Sequence, residues 1–325
     1  MLIEGHAQQL HSQATVILAH DHLLGWENIL AMRQGGVTAK VIKLTVDGLD
    51  WHESGVREEV PSLEGWTRRA LVELDKVHHL VEEHPQDVMI ACNVADIHHA
   101  KATGKVALII GLEGPRPIEG SLEVLRAFYR LGLREMQLTW ATPNQLITGG
   151  ELNDLGHAVV REMNRLGMLI DLSHLPSRAW TQALELSTAP VIMSHNACHA
   201  LTQYGDTMTD DMLCRLAARG GILGMHFVSG DYIKPRHGTD QATLEDFIDH
   251  IDHARSIIGI DHIALGGDYF YITADAHWKW VKEIERIELL PNLTSALLRR
   301  GYDDKEIIKI LGGNLLRLYS KVWHD

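Results

Sequence analysis

The sequence predicts an α/β fold, a single (β/α)8 barrel of the TIM type spanning residues 1–325, and three observations carry that reading. Eight short apolar runs alternate with segments of helical period. The runs are almost continuously apolar, as parallel strands buried on both faces are. Polar residues suited to metal binding stand at the C-terminal ends of several runs, and a closed barrel brings all such ends to one mouth.

The first run, Val16–Leu18, leads into Ala19-His20-Asp21-His22. Ala39–Thr45 and Val106–Ile110 follow, then Glu135–Thr139, Met168–Leu172, Val191–Met193, Ile222–Phe227 and His262–Leu265. Parallel pairing through right-handed crossovers is expected for this alternation. Leu155–Leu166 is the clearest helix, with Val159, Val160, Met163 and Leu166 on one face. Pro61–Glu83 and Val94–Ala102 read as helices in the longest excursion, between the second and third strands. Leu289–Tyr302 and Asp303–Val322 read as closing helices, and no linker, repeat or low-complexity tract divides the chain.

Of 325 residues, 45% are hydrophobic, ample for a large core. Acidic residues outnumber basic ones 43 to 30, a balance that argues against nucleic acid or an anionic membrane as partner and points to a small molecule. Three scattered cysteines make no disulfide framework, and there is neither a basic leader nor an apolar run of the ~20 residues a span needs. A cytoplasmic protein is expected. The 21 histidines direct attention to metal chemistry.

His20 and His22 lie two apart at a strand end, so a period of two points both imidazoles to one side. An isolated pair of this kind is more often one core histidine beside an exposed one. Glu113 follows the run Leu108-Ile109-Ile110-Gly111-Leu112, where a carboxylate is expensive to bury unless paired or metal-bound. Alone it serves equally as a helix cap. His174 and His195 each close a strand in Ser-His, and neighbouring strand ends can hold two imidazoles near one ion. Asp171 reads either as an orienting partner or as a loop hydrogen-bonder. Asp268, after Leu265-Gly266-Gly267, arrives at the same mouth as a metal ligand or proton acceptor. Imidazole plus carboxylate without thiolate suits Zn2+ or another divalent first-row ion. Two such ions bridged by Glu113 would hold a hydroxide at neutral pH and polarise a carbonyl.

With these residues in place, the chain resembles the membrane dipeptidase (renal dipeptidase-like) family of the amidohydrolase superfamily. The resemblance runs from His20 to Leu311-Gly312-Gly313-Asn314-Leu315-Leu316-Arg317 and is most specific in Arg161–His174, Pro190–His195 and Asp261–Tyr269. It implies a barrel, two zinc ions and hydrolysis of an amide in a small substrate, with dimers common among relatives. By position it implies His20, residue 22 and Glu113 on one metal, Glu113, His174 and His195 on the other, and Asp268 as acid/base. Three departures stand out. His22 replaces the family's Asp, with Asp21 out of phase and directed away. Trp140 follows Leu138-Thr139 where a substrate-binding His is usual. Asp206 falls where an Arg usually receives the substrate carboxylate, and no Arg or Lys occurs between His195 and Arg215. An Asp and a Trp at the mouth suit a cationic group better than an anionic one. His226 is a further lining candidate, although a satisfied core histidine is the commoner case.

The expected activity is therefore zinc-dependent hydrolysis of a small amide other than an ordinary dipeptide. A mononuclear deaminase or ring-opening enzyme is the alternative within catalysis. A non-catalytic binding protein is the alternative outside it, disfavoured because every ligand position retains a metal-binding residue.

Overall fold

The computed structural model describes residues 2–47, 49–51, 57–59, 65–140, 144–236, 240–270 and 279–324. Eight strands form the central sheet: β1 (Val16–Asp21), β2 (Val37–Val46), β3 (Val106–Glu113), β4 (Leu133–Gln137), β5 (Leu169–Asp171), β6 (Ile192–Asn196), β7 (Ile222–His226) and β8 (Ile263–Gly267). Each pairs in parallel with the next, and β8 returns to β1 through Leu18–Leu265 and His20–Gly267, closing the barrel. All eight expected strands are present. The third pairs with two neighbours on one side: Val88–Ile90 covers its first half and β4 its second. An antiparallel hairpin, Leu49–Trp51 with Arg57–Glu59, prolongs β2 beyond the mouth.

Two apolar layers hold the barrel. Outward side chains such as Leu18, Leu108, Ile170 and Leu223 pack under the helices with Ile29, Val77 and Val160. Inward side chains, among them Ile17, Val41, Ile109, Ile192 and Ile222, form a second cluster with Leu315, Leu318 and Tyr319 of the last helix and Trp323 just after it, which plug the base. Burial at this scale is the main driving force, roughly 25 cal/mol per Å2 of apolar surface.

The helices begin and stop where local chemistry dictates. Asn153 accepts a hydrogen bond from the Gly156 amide to open Asp154–Leu166, and Gly167, at φ 71°, closes it. The other expected helices occur at Trp66–Glu83, Val94–Thr103 and Pro291–Arg300, with residues 61–64 outside the described ones. One expectation needs correction: Asp303–Val322 is not one helix. It runs as Asp304–Ile308, a wide turn at Lys309–Gly313, then Asn314–Val322. Gly312 sits so close to β1 that an added Cβ would lie 2.1 Å from the Thr15 carbonyl oxygen. Asn314 donates to the Ile260 and Ile263 carbonyls at 2.7 and 2.8 Å. Tertiary docking of this segment overrides its helical continuity.

Candidate metal centre

The mouth is built from strand ends. β1 slips register against β2 between Leu18 and Asp21. His20 and His22 consequently face the barrel axis, while Asp21 turns outward to pair with Lys40 at 2.8 Å. The His20 and His22 Nε2 atoms lie 3.1 Å apart. Across the mouth, the His174 and His195 Nε2 atoms are 2.9 Å apart. Glu113, the last residue of β3, stands between the two pairs. Its Oε2 is 3.3 Å from His22 Nε2, and its Oε1 is 3.5 Å from His174 and 3.7 Å from His20. Asp268 Oδ1 is 3.1 Å from His22 Nε2 and 3.5 Å from His20 Nε2. All five expected ligands and Asp268 are therefore brought together.

Two of these residues hold uncommon backbone conformations. His174 has φ 62° and Asp268 φ 63°, left-handed values that non-glycine residues rarely adopt. Such strain persists where surrounding structure requires it, and it concentrates at functional sites. It aims both side chains inward from the ends of β5 and β8.

Hydrogen-bond partners decide which ring nitrogens are free. His174 Nδ1 contacts Asp206 Oδ2 at 2.9 Å; a carboxylate only accepts, so Nδ1 is the donor. His226 is the opposite case. Its Nδ1 accepts from the Val228 amide at 3.2 Å, so its Nε2–H donates toward Asp268 Oδ2, 3.3 Å away. His226 is thus a buried donor that holds Asp268. Asp206 also accepts from the Tyr232 hydroxyl at 3.1 Å. Its carboxylate is engaged by protein groups rather than standing free at the mouth.

The electrostatics fit a cation. Burial would raise the Glu113 pKa, but the surrounding imidazoles, His20 foremost, hold it well below the usual carboxylate range. Burial likewise opposes an ionised Asp268, and His195 and His22 outweigh it. Burial and the Lys43 ammonium lower His20 to about 4. Burial disfavours a charged His174, yet its hydrogen bonds to Asp206 and Glu113 push it up to about 10. Two ionised carboxylates thus face four converging imidazoles, and Asp268 Oδ1 lies buried 3.1 Å from His22 Nε2. Four imidazoles and two carboxylates with no thiolate are the donors expected of Zn2+ or a similar ion.

Above this centre lies a cavity of about 260 Å3. Trp140 and Asp206 line it as the sequence suggested, together with Tyr204, Asp231, Tyr232 and Phe270, which sequence reasoning missed. Those four sit in loops, where no periodic pattern marks a facing direction.

The sequence model for membrane dipeptidase (peptidase family M19) matches residues 1–324. The chain belongs to the membrane dipeptidase family. That places it among metal-dependent hydrolases of amide C–N bonds. The chain is 31% identical over 316 residues to dipeptidase aclJ of Aspergillus oryzae, covering 94% of this chain and 72% of the relative. It is 35% identical over 266 residues to an uncharacterised dipeptidase of Schizosaccharomyces pombe, covering 78% of this chain but only 62% of that one. An amidohydrolase structure from Pseudomonas aeruginosa superposes with a TM-score of 0.87 at 25% identity, covering 98% of this chain and 99% of its own. A metallopeptidase from Rhodobacter sphaeroides, bound to a phosphinate mimic of L-Ala-D-Ala, shares the fold with a TM-score of 0.81 at 22% identity, covering 95% and 99%.

Proposed function

We propose that this membrane dipeptidase family member hydrolyses a small amide at a two-zinc centre. His20 and His22 would hold one ion, His174 and His195 the other, with Glu113 between them. The observation that carries this reading is the facing pair of Nε2–Nε2 contacts, 3.1 and 2.9 Å, with an ionised carboxylate between. Bound there, divalent cations acidify water and polarise a scissile carbonyl. Asp268 then takes the proton of the attacking water on Oδ1 and returns it to the leaving nitrogen. His226 holds Oδ2, which keeps Oδ1 aimed at the reacting atoms.

The distal part of the substrate is read by the cavity. No lysine or arginine is among its described lining residues, and segments 141–143 and 271–278 contain neither. An incoming carboxylate therefore meets Asp231, Asp206 and aromatic faces instead of a guanidinium fork. A cationic end gains from the same surroundings, about 0.5–2 kcal/mol per ring-facing contact. We infer a substrate whose leaving-group side is neutral or positively charged.

Elemental analysis of the purified protein should find about two zinc per chain, and fewer in His174→Ala. One metal per chain would favour deaminase-like chemistry, and none under zinc-replete conditions would favour a binding protein. Alanyl-agmatine should be cleaved at least tenfold more efficiently than L-Ala-L-Ala. Faster turnover of L-Ala-L-Ala would refute the cationic preference while leaving the metal centre intact.

A further inference from the structure

Beneath the proposed metal ligands, the barrel interior holds polar groups that no part of the hydrolytic reading uses. Lys43 on β2 lies fully buried, its Nζ 2.5 Å from Glu135 Oε1 and 3.4 Å from Asp171 Oδ2. Gly111 makes room for it: a Cβ there would lie 2.8 Å from Val41 Cγ1 and 3.1 Å from Lys43 Cδ. Asp171 is surrounded by donors. The Ser173 amide and hydroxyl reach its Oδ1 at 3.0 and 2.8 Å, and the Ser194 amide reaches the same oxygen at 3.2 Å. The Ser194 hydroxyl approaches Oδ2 at 2.5 Å. With so many protons directed at it, Asp171 is an ionised acceptor.

That fixes the serine. A hydroxyl has one proton to donate and two lone pairs with which to accept. The short contact to a carboxylate takes the single proton of Ser194. Yet Ser194 Oγ also lies 3.1 Å from His20 Nδ1 and 2.9 Å from His195 Nδ1. Since Oγ has no second proton, both rings must be the donors. Each therefore carries its hydrogen on Nδ1 and presents a bare Nε2 to the mouth. Those two Nε2 atoms belong to opposite sides of the centre, one facing His22 and the other His174.

We propose that Ser194 is a shared positioning residue: one hydroxyl, its proton given to Asp171, sets the tautomer and ring orientation of one imidazole on each side of the metal centre. The inference rests on the two-ion reading for its consequence but not for its geometry. Imidazole ligands are ordinarily oriented one at a time, each by its own acceptor, and losing that acceptor typically weakens metal binding about 10–100-fold. His174 follows that rule through Asp206. Here a single acceptor serves two ligands, so its removal acts on both ions together.

The arrangement has a physical reason. β6 is crowded on its far side by β7 and β8: a Cβ on Gly224 would lie 2.0 Å from the Ser194 carbonyl oxygen and one on Gly266 2.9 Å. Glycine at both positions lets the three backbones close in. That proximity brings the β6 serine within reach of the His20 ring from β1.

Three measurements separate this role from a merely structural one. Competition of Zn2+ with a chelator, followed by elemental analysis, should show both equivalents weakened about 10–100-fold in Ser194→Ala. Asp206→Asn should weaken one equivalent only. Ser173→Ala, which removes another donor from Asp171 without touching a ring, should bind zinc like the parent protein. Cobalt substituted into Ser194→Ala should show altered visible absorption at both sites, with Ser194→Thr restoring it. If Ser194→Ala does not fold, the test passes to the unaltered protein. Nitrogen-15 histidine spectra of the zinc-free form should find His20 and His195 both protonated at Nδ1. Protonation at Nε2 of either ring, or wild-type zinc affinity in a folded Ser194→Ala, would overturn the proposal. A parent protein that binds one zinc would refute the dinuclear reading alone, because the tautomer measurement stands without metal.

Discussion

At the scale of single residues, Asp268 carries the sharpest expectation. It is 8% exposed, held at Oδ2 by His226, and turns Oδ1 toward the His20 and His22 rings. Asp268→Asn keeps the size and the His226 contact, with the amide oxygen in the Oδ2 position, and removes the proton acceptor. The expected result is a fall in kcat of about 10²–10⁴-fold with KM changed little. Steady-state kinetics with zinc content measured in parallel checks it; loss of zinc in place of kcat would make Asp268 a ligand. The metal-directed residues were legible because each stands at a strand end, and strand ends can be counted. His226 was legible as a histidine near the mouth but not as a donor, since its tautomer depends on the Val228 amide turning back onto Nδ1. Asp206 was legible as a charge out of place. Its engagement with His174 and Tyr232 was not, because that loop's course follows no local rule.

Among the elements, β2 bears the most unusual load. It contributes two buried lysines on opposite faces: Lys40 outward to Asp21 and Asn28, Lys43 inward to Glu135 and Asp171. Burial raises Glu135 to about 7, against the pull of the Lys43 ammonium. Removing one partner of a buried ion pair leaves an uncompensated charge, commonly a loss of about 3–5 kcal/mol. Lys43→Met is expected to lose stability on that order in thermal or urea unfolding. Adding Glu135→Gln should recover part of the loss, because one stranded carboxylate is then gone. Full additivity of the two substitutions would show that the pair does not interact. On sequence alone, Lys40 and Lys43 read as interruptions of an apolar run, and the register that places each against its acid is a property of the closed barrel.

At the scale of the whole molecule, His250 joins an outer helix to the loop that follows β6. This residue lies on the Leu244–Ile258 helix, and its Nδ1 accepts from the Cys198 amide at 3.1 Å, in the loop that follows His195. Burial, reinforced by His253 and Arg236, lowers its pKa to about 3 from an ordinary 6.5. The folded protein therefore resists a proton that the unfolded chain accepts. Its contribution to stability is complete above pH 6.5 and is lost as pH falls toward 3, by at most about 1.4 kcal/mol per pH unit. His250→Gln keeps an acceptor for the amide without a titrating ring. Its unfolding free energy should depend less steeply on pH than the parent's across that window; identical slopes would remove His250 from the account. Among the described residues, no helix is long and apolar enough to cross a membrane.

Sequence by itself determined the alternation of strand and helix, and with it the barrel, because hydrophobic period is a local property that burial converts into layers. It also named the residues at the mouth, since a (β/α)8 fold sends every strand's C-terminal end to the same place. Only the tertiary structure decided what those residues do to one another. The proton on each imidazole is set by an acceptor from another strand or loop: Ser194 for His20, Asp206 for His174. The charge on each buried acid is likewise set by a lysine or histidine that closure of the barrel brings near, as Lys43 is brought to Glu135 and Asp171. Hydrogen-bond valence and Coulomb interaction act through space at a few ångströms, and spacing along the chain does not encode those distances.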